Sequence, residues 1–196
     1  MIVVKTLGLF LASACMLTAA EPDLKPLFDG NNLDAWEPSS QPECWVVKDG
    51  VLICKNNEKQ RGDILHTKTR FRDFVCELEF KFVSGRIDSG IHIRNDQEQI
   101  QIGESGSLKR DMTASPYIPG KGYPVEAEGV KELLKKNDWN TLKIRGVGSK
   151  YTTWLNGKEV MNYDSDSAAE EGPLGIQLHG KRIMEIHFRN IRAAAL

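Results

Sequence analysis

Phe74-Val75-Cys76-Glu77-Leu78-Glu79-Phe80-Lys81-Phe82 alternates without a break. Phe74, Cys76, Leu78, Phe80 and Phe82 form one set, and Val75, Glu77, Glu79 and Lys81 the other. A period of two puts successive side chains on opposite faces of a strand, with the apolar set on a core. Working outward, Ser89 to Arg94 and Gln99 to Gly103 alternate in the same way. Asn140 to Arg145, Tyr151 to Leu155, Lys158 to Asn162, Leu174 to His179 and Met184 to Ile191 follow. Upstream, Trp45-Val46-Val47 and Val51-Leu52-Ile53 flank Asp49-Gly50. A two-residue turn there pairs Lys48 with Val51 and Trp45 with Cys54; Asn156-Gly157 is a second such signal, since both residue types tolerate positive φ. Many short strands, each with one polar face, predict an all-β fold of two packed antiparallel sheets.

Ser105 to Val130 breaks this grammar. It carries Gly106, Pro116, Pro119, Gly120, Gly122 and Pro124, too many breakers for one element and too much chain for a hairpin loop. Its place after Gln101 suggests a lid over a site, and Glu128 to Lys136 reads as a short helix.

The chain has 196 residues, 40% hydrophobic and 27% charged, which suits one domain with an ordinary core. With 26 basic and 27 acidic residues it lacks the basic surplus of a nucleic-acid binder. Lys131, Lys135 and Lys136 are interleaved with Glu126, Glu128 and Glu132, as on a solvated face. At the N-terminus, Lys5 precedes an apolar stretch from Thr6 to Thr18 and a small-x-small site at Thr18-Ala19-Ala20. This pattern predicts a signal peptide over 1–20, a single sandwich domain over 21–196, export to the periplasm or beyond, and no membrane span. Ala12-Ser13-Ala14 before Cys15 loosely resembles a lipoprotein box, which leaves a lipid anchor at Cys15 open. Cys44, Cys54 and Cys76 then remain, an odd set. The two-residue turn points Cys44 and Cys54 to opposite faces, where they cannot bond; a three-residue turn would bring them together. Cys76 reads as a buried thiol, and no Cys/His spacing suggests zinc.

The polar set of each strand carries the functional signal. Glu77 and Glu79, His92 and Arg94, Gln99 and Gln101, Gln177 and His179, and Glu185, His187 and Arg189 all lie opposite apolar partners. Planar, multidentate groups of this kind recognise vicinal hydroxyls, and Trp36, Trp139 and Trp154 offer faces for sugar rings. The competing reading is a set of ordinary cross-strand pairs, such as Glu79 with Arg94.

Eight segments together resemble the 3-keto-disaccharide hydrolase family: Pro26-Leu27-Phe28-Asp29-Gly30 with Leu33 and Trp36; Trp45 to Leu52; Asp73-Phe74 to Lys81; Ser89 to Arg94; Gln101-Ile102; Asp138-Trp139-Asn140; Trp154 to Gly157; and Gly175 to Gly180 with Phe188 to Ile191. The resemblance implies a concanavalin A-like jelly-roll sandwich, bacterial export and action on glycosides oxidised at C3. It assigns the family's polar signature to Glu79, Arg94, Gln101, Gln177 and His179. Two positions depart from it: Gln99 stands where many members have Glu, and Leu178 where many have Asp. Glu104 is placed to compensate. A 3-keto sugar has an acidified C2 proton, so the chemistry needs a base, a donor or cation at the C3 oxygen and an acid at the leaving oxygen. The expectation is Arg94 at the enolate oxygen, Glu79 or His179 as base, Gln101 and Gln177 on hydroxyls, and Glu77, His92, Gln99 and Glu104 around them. A divalent cation held by Glu and His is the alternative Lewis acid. The rivals are a non-catalytic carbohydrate-binding module and a retaining glycosidase using Glu77 and Glu79.

Overall fold

The computed structural model describes residues 22–196; the leader and Cys15 lie outside the described residues. The strands are β1 (Lys25–Pro26), β2 (Trp45–Lys48), β3 (Val51–Lys55), β4 (Asp63–Phe71), β5 (Phe74–Gly85), β6 (Asp88–Ile93), β7 (Gln99–Gly103), β8 (Pro116–Tyr117), β9 (Asn140–Val147), β10 (Lys150–Leu155), β11 (Lys158–Asp164), β12 (Gly172–Leu178) and β13 (Met184–Ala195). One sheet runs β11-β10-β9-β5-β13-β3-β2, with β1 added on β13. The other runs β4-β12-β6-β7-β8. All pairings are antiparallel, and the two sheets close a jelly-roll sandwich.

The turns follow their residue types. Asp49 and Gly50 (φ 51° and 77°) and Asn156 and Gly157 (φ 50° and 84°) occupy the left-handed region that a tight hairpin requires. The first turn pairs Lys48 with Val51 and Trp45 with Cys54, and Cys44, Cys54 and Cys76 are free and buried. Burial pushes the Cys76 thiol up to about 12.

Between the sheets, Leu52, Leu78, Phe80, Leu142 and Phe188 from the larger one meet Leu65, Ile91, Ile100, Ile102 and Ile176 from the smaller. Each such side chain contributes about 1.5–3 kcal/mol on burial. The decisive consequence is that there are two outer faces. The polar set of β5 belongs to one, and the polar sets of β6, β7 and β12 to the other.

Strand β4 has no counterpart in the periodicity reading. Its inward set includes Thr67, which is buried because its hydroxyl donates to the Thr69 carbonyl at 2.7 Å and accepts from the Leu174 amide at 3.1 Å. A hydrogen-bonded threonine in a core position erases the alternation that marks a strand.

The breaker-rich segment packs in part along the edge of β7, and Ser105, Gly106, Ser107, Tyr117 and Tyr123 from it line a cleft. Its backbone extends the edge of β7, with Gln101 N–H donating to Ser115 O at 2.9 Å and Ala114 N–H to Gln101 O at 2.8 Å. Met112, Ala114 and Ile118 are buried, Ile118 bridges Gly122, and the expected helix is the single turn Val130–Leu133.

Candidate functional site

On the outer face of the smaller sheet the register aligns one residue from each of five strands. His66 lies opposite Gly175, Gly175 opposite His92, His92 opposite Gln99 and Gln99 opposite Tyr117. Beside this row, Gly90 lies opposite Gln101 and Asp88 opposite Gly103. Glycines at 90 and 175 leave neighbouring side chains free to cross the sheet. A Cβ at Gly90 would sit 3.0 Å from Cδ and Oε1 of Gln99, and one at Gly175 would sit 2.6 Å from Ile64 Cγ2.

The polar groups here are joined in a chain. Gln99 Nε2 donates to Gln101 Oε1 at 2.9 Å, and Gln101 Nε2 donates to Asp88 Oδ1 at 3.0 Å. The other Asp88 oxygen accepts from Arg182 Nε at 3.3 Å and Nη2 at 3.1 Å. His179 Nε2 stands 3.8 Å from that same oxygen. At its far side, His179 Nδ1 lies 2.6 Å from Gly180 O. A carbonyl only accepts, so Nδ1 carries a proton, and in the neutral ring Nε2 holds the lone pair. Tyr117 and Tyr123, edge to face at 5.4 Å between ring centres, close one side with Ser105 and Gly106. The resulting cleft has a volume of about 410 Å³. A second cavity of about 470 Å³ lies by His66, whose Nε2 is 2.6 Å from Asp96 Oδ1.

Several of these groups are buried with open valences. Both ring nitrogens of His92, Gln99 Oε1 and Gln177 Oε1 have no partner. Leaving a polar atom in that state costs about 1–3 kcal/mol, which a folded protein tolerates mainly where function needs it. Burial lowers the His92 pKa from 6.5 to about 4, so the ring is neutral. Burial raises Tyr123 to about 12, helped by the nearby Asp88 charge, so its hydroxyl remains a donor at neutral pH.

The expected single hollow is therefore corrected. Of the residues expected to share it, Gln99, Gln101, Gln177 and His179 line this cleft, and His92 lies in the same face beside Gln99. Glu77 and Glu79 do not: they are on the outer face of the other sheet, ion-paired with Arg192 and Arg189. Alternation fixes which residues share a strand's face but not which sheet the strand joins. Arg94 also leaves the set. Strand β6 ends at Ile93, and Arg94 takes φ 60°, which turns its side chain away. Its guanidinium is buried against Phe74, and Nη1 donates to Gly148 O at 2.6 Å and Ala169 O at 3.0 Å. Glu104 pairs with Arg86 and lines a different cavity. No tryptophan lines the cleft. Trp36 is core, Trp139 lies under Arg189 and Trp154 under Lys143.

Periodicity does not single out Asp88, Arg182, Tyr117, Tyr123 or His66. Asp88 shares parity with Gly90 and His92 and was within reach of the alternation argument. Arg182, Tyr117 and Tyr123 carried no signal, because two sit off the strands and Tyr117 occupies a two-residue strand. For a divalent cation the donor set does not fit: among the described residues no three His, Cys, Asp or Glu side chains gather to hold one.

Known proteins resemble this chain over nearly its full length. A putative glycosyl hydrolase from Parabacteroides distasonis superposes with a TM-score of 0.68 at 25% identity, covering 89% of this chain and 100% of the other. A second from the same organism gives 0.67 at 16% identity, covering 88% and 94%. Carbohydrate-binding module CBM66 from Bacillus subtilis shares the fold, with 0.51 at 12% identity over 77% and 91% of the two chains. No curated protein matches. The model of the 3-keto-alpha-glucoside-1,2-lyase-like domain matches residues 23–194, and the chain belongs to that family.

Proposed function

We propose that this protein cleaves the glycosidic bond of 3-keto-glycosides in the cleft of the smaller sheet, with His179 Nε2 as the base. The observation that carries the reading is the fixed tautomer of His179 beside Asp88. The lone pair is aimed away from its own backbone anchor, and a carboxylate 3.8 Å off stabilises the imidazolium that forms. Nε2 removes the C2 proton, and the electron pair delocalises onto the C3 oxygen as an enolate. The enolate collapses to a C1–C2 double bond, and the C1–oxygen bond breaks with its electrons on the leaving oxygen, which takes up the proton that His179 Nε2 removed and so restores the base. Addition of water across the double bond completes a net hydrolysis; without it the reaction is a lyase elimination. The Tyr123 hydroxyl is the donor for developing negative charge, and neutral His92 and the glutamine amides orient hydroxyls. A two-carboxylate glycosidase is served less well, because Asp88 is the one carboxylate among the described residues lining the cleft. Residues 1–20 support action outside the cytoplasm.

The second reading, a sugar-binding module, is favoured by the engagement of Asp88 with Arg182 and Gln101. Incubation with a chromogenic 3-keto-glucoside, with and without EDTA, separates the two. Aglycone release that survives EDTA is the expected result. Binding without release would make the protein a lectin-like module, and release from the unoxidised glucoside would make it a plain glycosidase. Loss of release on EDTA, restored by a divalent ion, would require a metal step.

A further inference from the structure

We infer that Asp88 is a positioning residue whose carboxylate orients two amides in series, so that Gln99 presents a bare carbonyl oxygen to a donor hydroxyl of the ligand. The inference rests on the functional reading only for the ligand's class. A carboxylate accepts and never donates, so the amide facing Asp88 Oδ1 must be the Nε2 of Gln101, at 3.0 Å. That turns Gln101 Oε1 toward Gln99, which must answer with its own Nε2, at 2.9 Å. Gln99 Oε1 is then forced to the far side, where it is buried with no partner. Arg182 holds the other Asp88 oxygen through two donors, so the carboxylate cannot turn to relax the chain. Gly90 lies beneath the Gln99 amide and gives it room.

Gln177 Oε1 adds a second bare acceptor in the same cleft, and the Arg182 charge is balanced by Asp88. Two unpartnered carbonyl oxygens favour a neutral ligand rich in hydroxyl donors. They disfavour a carboxylate or phosphate placed at the same point, because acceptor would meet acceptor. The face therefore selects neutral sugars over uronic acids or sugar phosphates.

The wiring is tested without ligand by NMR of the full chain labelled with ¹⁵N at glutamine side chains. Asp88→Asn removes the fixed polarity, and both the Gln101 and the Gln99 amide signals are expected to move, although position 99 does not touch position 88. Gln101→Met is the second variant, in case Asp88→Asn does not fold; it cuts the chain in the middle and should move Gln99 alone. A Gln99 signal unchanged in the folded variants overturns the inference. A second measurement uses methyl 3-keto-glucosides in which one hydroxyl is replaced by fluorine, which accepts but cannot donate. At least one fluorinated sugar should bind tenfold or more weakly than its parent, and Gln99→Leu should reduce that ratio below twofold. A ratio unaffected by Gln99→Leu overturns the acceptor role. Amide signals that respond as expected, with no release of aglycone, would sustain the wiring and sink the catalytic reading instead.

Discussion

The two outer faces of this sandwich use similar residue types and spend them differently. On the larger sheet the charges answer one another. Glu79 meets Arg189, Glu77 meets Arg192, and Glu185 meets both Lys55 and His187. The tryptophans there are covered by Arg189 and Lys143. On the smaller sheet, Asp88, His92, Gln99 and Gln101 are buried on a face that alternation alone would leave to solvent, and several of their atoms have no partner. A saturated polar face needs nothing further to be stable in water. An unsaturated buried one is stable only because the rest of the fold compensates, and it gains from a ligand that completes its hydrogen bonds. Open valences gathered in one cleft, at Gln99 and Gln177, with His92 beside them on the same face, set this face apart from the ion-paired one.

The sharpest way to break that contrast is to mutate one residue on each face. His179→Ala is expected to reduce kcat/KM for a 3-keto-glucoside by about 10²–10⁴, the usual worth of a positioned base. Glu79→Gln should change it less than twofold. Arg94→Ala should lower the melting temperature and leave turnover per folded molecule intact, since that guanidinium ties Gly148 and Ala169 together and none of the three lines the cleft. Steady-state kinetics beside thermal melts checks all three. A dead Glu79→Gln with an active His179→Ala would put the chemistry on the other sheet.

The next effect is on stability against pH. The His92 pKa is lowered in the fold to about 4 from its ordinary value of 6.5. Between these values the unfolded chain binds more protons, so stability rises with pH through the window and is complete above about 6.5. As pH falls from 6.5 toward 4 this residue removes about 3 kcal/mol. In His92→Phe that portion of the slope should vanish, as read from urea midpoints at four pH values. Equal slopes in the two proteins would mean the imidazole is not held neutral.

A smaller effect comes from Gly90→Ala. The added methyl would meet Ile100 O at 2.9 Å and the Gln99 amide at 3.0 Å. The Ile100 carbonyl is backbone, so β6 and β7 must shift apart locally, and the methyl should also push the Gln99 amide off Gln101. About 1–3 kcal/mol of stability and roughly tenfold in KM are the expected losses, with kcat changed less. An unchanged KM would show that Gln99 does not read the substrate.

How much of this was legible in the sequence depends on what alternation encodes. It reports a strand's two faces, and so the β5 core set, the isoleucines of β6 and β7 and both hairpin turns were readable from residue order alone. Sheet membership is set by pairings distant in sequence, such as β5 with β13, which no local pattern contains. That is why alternation alone groups Glu79 with His179 although a core separates them. Arg94 was lost to a single positive φ at a strand end, and His66 to a hydrogen-bonded threonine that masked its strand. Tyr123 and Arg182 reach the cleft from irregular backbone, where no period exists to read.

The smallest effect expected is on the saturated face itself, and it is a direct measure of saturation. Glu77 and Arg192 pair across β5 and β13, with the arginine side chain 51% exposed and the glutamate 23%. An exposed pair of this kind is screened by water and by salt, and its formation costs side-chain entropy. Glu77→Gln, Arg192→Gln and the double variant should yield a coupling energy under about 1 kcal/mol by urea unfolding, shrinking further at high salt. The same cycle on Asp88 and Arg182, both more buried, should give a larger coupling that salt barely alters. Equal couplings on the two faces would remove the physical distinction between them: Asp88 would be one more surface carboxylate, with no special hold on the amides beside it.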